Sequence, residues 1–386
     1  MKILIVTATY PPSTNGVAIS TKRTVEALRM LGHDVWVIGP EHKNVTEPQY
    51  FTFQTAHHVP GIPSDYPLVL PWIPEKTRNK LERITWDIIH VQHPYYVSLM
   101  ALKIGERCHA PVVFTYHSQY DHVIRSNAPF FPDWVYELAY YVGAASVIGK
   151  MAAIIATTKW LKTELEEKFP EIPIYYVSSA GLPKPFSSQE SVETLRVQLA
   201  LPTHEPIFIV VTRLSPEKNV SFLVKAFAGW ASTQKTGTLI VIGDGNDRGD
   251  LEALVKTLHM AKRVIFVGNV RNETLSPWLN AADIFLYSSI TDTVSVNLIE
   301  AMSAGLPIVA LDDKTTREII APGINGYLSL PDRKVFVSYM NKALKNRSTL
   351  SVGAREQIQH YTMSQTTTSL VKTYEQIIER YRRVHR

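Results

Sequence analysis

The stretch Ile284-Phe-Leu-Tyr-Ser-Ser-Ile-Thr-Asp292-Thr-Val-Ser-Val-Asn-Leu-Ile-Glu300-Ala-Met-Ser-Ala-Gly-Leu-Pro-Ile-Val-Ala310 decides the fold. Ile284 to Tyr287 is a short unbroken apolar run, the signature of a parallel strand buried on both faces. Val294 to Met302 reads as a helix, Gly305-Leu-Pro307 stops it, and Ile308 to Ala310 begins the next strand. The unit places two carboxylates, Asp292 and Glu300, eight residues apart across a loop and a helix. Both then face the crevice above the strand ends, where open α/β sheets bind ligands, and each can grip hydroxyls of one ligand. A helix cap for Asp292 and a solvated surface position for Glu300 are the structural alternative.

The same alternation extends in both directions. Strands are expected at Ile207–Val211, Leu239–Ile242 and Val264–Val267, each separated by about one helix. Nearer the start, Ile3–Val6, a helix from about Val17 to Leu31 closed by Gly32-His33, and Val35–Ile38 form a first βαβ unit. Ile88–Val91, Val112–Tyr116 and Ala153–Ala156 continue it, and the Pro- and Ser-rich Pro183-Lys-Pro-Phe-Ser-Ser188 separates the halves. The pattern predicts an α/β protein of two doubly wound Rossmann-like domains facing a central cleft, residues 1–185 and 200–362.

Composition agrees and narrows the partners. A chain of 386 residues exceeds a usual single core, and 45% hydrophobic with 19% charged residues is ordinary for a globular protein. No apolar run reaches about 18 residues, so no membrane span is expected. Met1–Val6 runs straight into Tyr10-Pro-Pro12, unlike a signal peptide. The apolar stretch Tyr140–Ala156 is broken by Gly143, Gly149 and Lys150 and reads as core or interface. One cysteine, Cys108, excludes an intramolecular disulfide and fits a reducing, cytoplasmic setting. The net charge is +5; residues 1–180 hold 16 basic and 16 acidic side chains, leaving 24 against 19 beyond them. Much of the excess is Arg380, Arg382, Arg383 and Arg386, a solvated helix end or a contact for anionic lipid. No nucleic-acid partner is expected.

A basic pair follows the strand Ile207–Val211. In Thr212-Arg-Leu-Ser-Pro-Glu-Lys218-Asn, Arg213 and Lys218 sit at a strand's C-terminal edge beside a helix N-terminus, an arrangement that suits an anion. Arg offers a planar fork to phosphate and Lys a mobile point charge; a bridge to Glu217 is the alternative. Gly243-Asp-Gly245 is a tight turn that lets a ligand or backbone come close. The first strand leads into Tyr10-Pro-Pro-Ser-Thr-Asn-Gly16 rather than Gly-x-Gly-x-x-Gly, which disfavours a nicotinamide dehydrogenase. No His/Cys cluster has metal-ligand spacing and no Ser-Gly nucleophile elbow is present.

Taken together, Arg213 with Lys218, Gly243-Asp-Gly245, Phe266-Val-Gly268, the Asp292–Glu300 block and Glu318 with Asn325-Gly326 resemble the C-terminal domain of retaining GT-B glycosyltransferases. Pro11–Gly16, Asp87-Ile-Ile-His-Val91 and Thr115-Tyr-His-Ser-Gln-Tyr120 extend the resemblance over nearly the whole chain. The family is the large one that includes diacylglycerol glucosyltransferases and mannosyltransferases. It implies a metal-independent hexosyltransferase without cofactor, using a nucleotide sugar, with UDP-glucose favoured, as co-substrate. Arg213 and Lys218 would hold the diphosphate, Glu300 the ribose hydroxyls and Asp292 the donor hexose. Gly16, Gly243, Gly268, Thr293, Val294 and Ser295 would complete the donor site, and His117 would join Arg213, Lys218 and Asp292 in the chemistry. The last helix, roughly Gln365 to Arg380 within residues 363–386, would return toward the first domain. The pattern departs from the family's usual Glu and Phe-Gly at Asp292 and at Val294-Ser295, which leaves the donor sugar open.

The acceptor side is aromatic. His117-Ser-Gln-Tyr120-Asp-His122 and Phe130-Phe-Pro-Asp-Trp134-Val-Tyr136 are similar to the acceptor region of lipid glucosyltransferases, with Asn15, His117, Tyr120, Phe130 and Trp134 as acceptor contacts. Such rings suit an interfacial surface on the inner face of a membrane and a lipid acceptor such as diacylglycerol; a helix's core face is the other reading. A soluble acceptor, a non-catalytic sugar-nucleotide binder and an epimerase on the same donor are the alternatives in function. His117 as a hydrogen-bonded core histidine is the alternative at that residue.

Overall fold

Two parallel sheets order the chain. The computed structural model describes residues 1–13, 15–41, 49–53, 55–56, 68–69, 74–94, 96–117, 132, 134–135, 141–178, 205–234, 236–289, 292 and 295–385. The chain divides into two units, Met1–Pro183 with Thr362–Arg386, and Lys184–Tyr361.

In the first unit, β1 (Lys2–Val6), α1 (Gly16–Met30), β2 (Asp34–Pro40) and β3 (Tyr50–Phe53) are followed by a two-residue pairing of β4 (Thr55–Ala56) with β5 (Leu68–Val69). Then come α2 (Glu75–Glu82), β6 (Ile88–Val91), α3 (Tyr96–Cys108), β7 (Val112–Tyr116), β8 (Ala153–Ala156), α4 (Lys159–Lys168) and β9 (Ile174–Tyr176). The sheet order is β3-β2-β1-β6-β7-β8-β9, all parallel. Residues 3–6 and 88–91 are buried on both faces, which is why they read as apolar runs. Asn15 caps α1 by accepting from the Ala18 amide, and Gly32, in the left-handed region at φ +81°, ends it.

The second unit contains β10 (Ile207–Val211), α5 (Val220–Ala231), β11 (Thr238–Ile242), α6 (Arg248–Thr257), β12 (Val264–Gly268), α7 (Ser276–Ala281) and β13 (Ile284–Tyr287). It continues with α8 (Val296–Ser303), β14 (Ile308–Leu311), α9 (Lys314–Ile319), β15 (Gly326–Ser329), α10 (Arg333–Lys345) and α11 (Arg347–Gln357). Its strands run β12-β11-β10-β13-β14-β15, the doubly wound order in which chain direction across the sheet reverses between β10 and β13. The first sheet reverses likewise between β1 and β6. Ligands of such sheets bind beyond the carboxyl ends of the strands at these reversals.

The last helix, α12 (Met363–Val384), is grouped with the first unit. Its Leu370, Tyr374, Ile377 and Ile378 join Ile3, Val25, Val35 and Ile88 in one core.

Two readings of the opening stretch change. The helix starts at Val296, and its cap is Ser295, whose Oγ accepts from the Leu298 amide, so Asp292 is not the cap. Glu300 is buried at 2% exposure, which removes the solvated alternative. Strands β3, β9 and β15 were not expected; they are three or four residues long and built largely of aromatic, glycine and hydroxyl residues, leaving no aliphatic run to read.

Candidate functional site

Beyond the reversal of the second sheet, the loops leaving β10 and β13 bring charges together. The β10 loop passes through the 3₁₀ turn Pro216–Lys218, and Asn219 takes a left-handed conformation before α5 begins. Ser288, leaving β13, donates through Oγ to the carbonyls of Lys218 (2.7 Å) and Asn219 (3.0 Å), tying the two loops. Asn297 Nδ2 donates to the Val211 carbonyl at 2.7 Å, which fixes α8 against the end of β10. In that frame the Lys218 ammonium pairs with Asp292 Oδ1, and Tyr287 Oη donates to Asp292 Oδ2 at 2.5 Å. The Thr315 hydroxyl holds the Asp292 carbonyl. Burial pushes the Asp292 carboxyl up, but the Lys218 ammonium and the hydrogen bonds from Lys218 and Tyr287 outweigh it and hold the group below its usual range. The buried Tyr287 phenol is pushed well up by burial and by the neighbouring carboxylate.

Arg213 behaves differently from Lys218. Its guanidinium is exposed and reaches Glu217 at 3.5 Å, the surface bridge weighed from the sequence. On the other side Glu300 Oε1 accepts from Asn272 Nδ2 at 2.7 Å. Gly243 (φ +130°) and Gly245 (φ +158°) are required by backbone: a Cβ would lie 1.8 Å from the Thr212 carbonyl oxygen and 2.2 Å from that of Leu214. Gly268 accepts the Gly243 amide at 2.9 Å, so these glycines shape the wall of the site by letting strands approach.

In the first unit the ends of β1, β6 and β7 hold three histidines. The Ala8 amide donates to His93 Nδ1 at 3.1 Å, so the ring proton lies on Nε2, 3.3 Å from Thr9 Oγ1. Thr9 Oγ1 donates to Asn15 Oδ1 at 3.3 Å, and Asn15 Nδ2 donates to Ser13 Oγ at 2.9 Å. The chain of bonds shapes the loop ahead of Gly16, where a Cβ would meet no atom within 4 Å. His117 Nε2 donates to Gln92 Oε1 at 2.7 Å. Burial lowers His117 to about 4, and burial followed by the charge of His117 lowers His90 and His93 to about 3, so all three are neutral at pH 7. His90, His117, Gln92 and Arg23 line one small cleft with α12.

The structure thus brings Lys218, Asp292, Ser295 and Glu300 to one end of the second sheet, with Arg213 at its rim, and Asn15, Gly16 and His117 to one end of the first. Trp134 is 64% exposed. Thr293, Val294, Tyr120 and Phe130 lie outside the described residues. Reading the sequence missed Tyr287, Asn272 and His93. Tyr287 closes an apolar strand run and Asn272 lies in a polar turn, so neither stands out; for His93 the available signal was its place three residues after His90, just past the end of a strand. Among the described residues no three His, Cys, Asp or Glu side chains could hold a metal ion, and no helix is long and apolar enough to cross a membrane.

Residues 191–363 match the family model Glycosyl transferases group 1, and residues 14–179 match Glycosyltransferase Family 4. The chain belongs to the GT-B glycosyltransferases. This glycosyltransferase is similar to the alpha-monoglucosyldiacylglycerol synthase of Acholeplasma laidlawii, 27% identical over 344 residues that cover 84% of each chain. The enzyme of the same name from Streptococcus pneumoniae is 26% identical over 337 residues, 85% of this chain and 75% of that one. In fold it resembles Anabaena HepE, crystallised in complex with UDP, at a TM-score of 0.75 and 17% identity, covering 97% of this chain and all of that one.

Proposed function

We propose that this glycosyltransferase moves glucose from UDP-glucose to the hydroxyl of diacylglycerol, with retention at the anomeric carbon and without a metal. The Lys218–Asp292 pair at the reversal of the second sheet, one helix from the buried Glu300, is the observation that carries the reading. Lys218 and Arg213 hold the diphosphate, Glu300 the ribose and Asp292 the hexose, with Thr293, Val294, Ser295, Gly243 and Gly268 around them. Gly16 leaves room for phosphate at the start of α1. The names of both synthases support the donor sugar and acceptor; since UDP-glucose is itself α-linked, an alpha product means retention.

In the reaction, the acceptor oxygen bonds to the anomeric carbon as the carbon–phosphate oxygen bond breaks on the same face. The acceptor proton passes to the departing phosphate oxygen. Negative charge grows on the diphosphate, and the Lys218 ammonium and Arg213 guanidinium stabilise it there. His117 is neutral and orients the acceptor with Asn15. The exposed Trp134, with Tyr120 and Phe130, meets the lipid at the inner face of the membrane, a peripheral rather than spanning attachment.

A thermal-shift screen of nucleotide sugars tests the donor, since a ligand bound by the folded state alone raises its stability. UDP-glucose gives the largest shift, and transfer to diacylglycerol in vesicles containing anionic lipid follows, unchanged by EDTA. Stabilisation by no nucleotide sugar sinks the reading. Failure to sediment with vesicles moves the acceptor to a soluble sugar, and product formed without acceptor marks an epimerase.

A further inference from the structure

The Asp292 carboxylate is anchored from two directions. Oδ1 faces the Lys218 ammonium, carried by the turn before α5, and Oδ2 accepts from Tyr287, whose ring is rooted in β13. Thr315, at the start of α9, binds the backbone carbonyl, and the Ser289 hydroxyl adds a smaller contribution that favours the ionised carboxylate. Lys218 is the charged group that faces Asp292, and Tyr287 the titratable one, among the described residues. Tyr287 is itself only 5% exposed, with its strand packed on both sides, so its hydroxyl is a rigid donor. A carboxylate has about four lone-pair positions, so these two partners leave room for sugar hydroxyls. An ammonium on a flexible stem moves toward phosphate when phosphate arrives. Without the phenol, Asp292 would be drawn after Lys218 and away from a hexose.

We propose that Tyr287 is a positioning residue of the donor site, whose phenol holds the Asp292 carboxylate on the hexose while Lys218 engages the diphosphate. The proposal rests on the assignment of Asp292 to the hexose. Tyr287 acts through Asp292, which is assigned to the hexose, so its effect is confined to the sugar half of the donor.

The test is Tyr287→Phe, which removes one oxygen and keeps the ring, beside Asp292→Asn. With UDP-glucose and diacylglycerol in mixed micelles, Tyr287→Phe lowers kcat/KM about tenfold, the scale of one hydrogen bond to a charged group. The acid limb of its pH profile moves up, because the carboxylate loses a donor that favours its ionised form. Affinity for UDP, which has no hexose, stays within about twofold, a split that a general structural role would not produce. An unchanged kcat/KM and acid limb, with Asp292→Asn inactive, overturns the role of Tyr287 and leaves Asp292 where it is. Full activity in Asp292→Asn overturns the assignment beneath the proposal, and the proposal with it. Loss of UDP affinity or of the fold in Tyr287→Phe makes the phenol a structural strut and also overturns it.

Discussion

Lys218 and Asp292 are 74 positions apart and meet because strands β10 and β13 are neighbours in the second sheet. In that meeting a partly buried ammonium and carboxylate neutralise one another, which spares each the desolvation cost of a lone charge. Asp292, with its carboxyl held low, contributes stability above the ordinary carboxylate range and loses it as the pH falls through its folded-state value. Lys218→Ala and Glu300→Ala each lower transfer by at least about a hundredfold, the scale of one lost transition-state contact, in steady-state assays on UDP-glucose. Wild-type rates in both would end the assignment of the donor site. At this scale the spacing of Asp292 and Glu300 was legible, because both belong to one βαβ unit. Tyr287 and Asn272 were not, because their roles depend on partners supplied by the fold rather than by neighbouring sequence.

Among the elements, α12 ties chain end to chain start. Tyr374, fully buried, lies with Oη 2.5 Å from His90 Nδ1, while His90 Nε2 lies 2.5 Å from Thr115 Oγ1. Removing the hydroxyl with Tyr374→Phe leaves a buried imidazole nitrogen without that partner and costs about 1–3 kcal/mol in denaturant unfolding. Burial of the same imidazole sets an acid response. Burial, then the charge of His117, places His90 near 3 in the folded protein, against 6.5 in an unfolded chain. The unfolded state therefore binds more protons between these values. Stability is intact above about 6.5 and falls toward 3, by up to about 1.4 kcal/mol per pH unit from this one group. His90→Gln flattens that slope in melting temperatures recorded from pH 7 to pH 4; an unchanged slope would refute the assignment. The last helix and its return to the first unit were expected only from the family resemblance. A helix's apolar stripe says that it packs, not against what.

Over the whole molecule, the chain builds one doubly wound unit, then a second, and returns to complete the first. Nucleotide contacts assigned to Lys218 and Glu300 lie in the second unit. UDP at a hundred times its Kd therefore stabilises that unit by about 2.7 kcal/mol. In calorimetry the ligand raises the transition of the second unit, and a shift confined to the first would contradict the placement of the nucleotide. The sequence by itself determined the two α/β halves and the chemical character of the site. Strands buried on both faces must be apolar runs, and an anion site at a strand's end requires cations beside a helix start. Tertiary structure alone decided that Lys218 pairs with Asp292, that Arg213 turns to Glu217, that Glu300 is buried, and that Tyr287 anchors the carboxylate. These outcomes depend on which strands become neighbours and on what burial does to a charge, quantities defined only once distant segments are packed together.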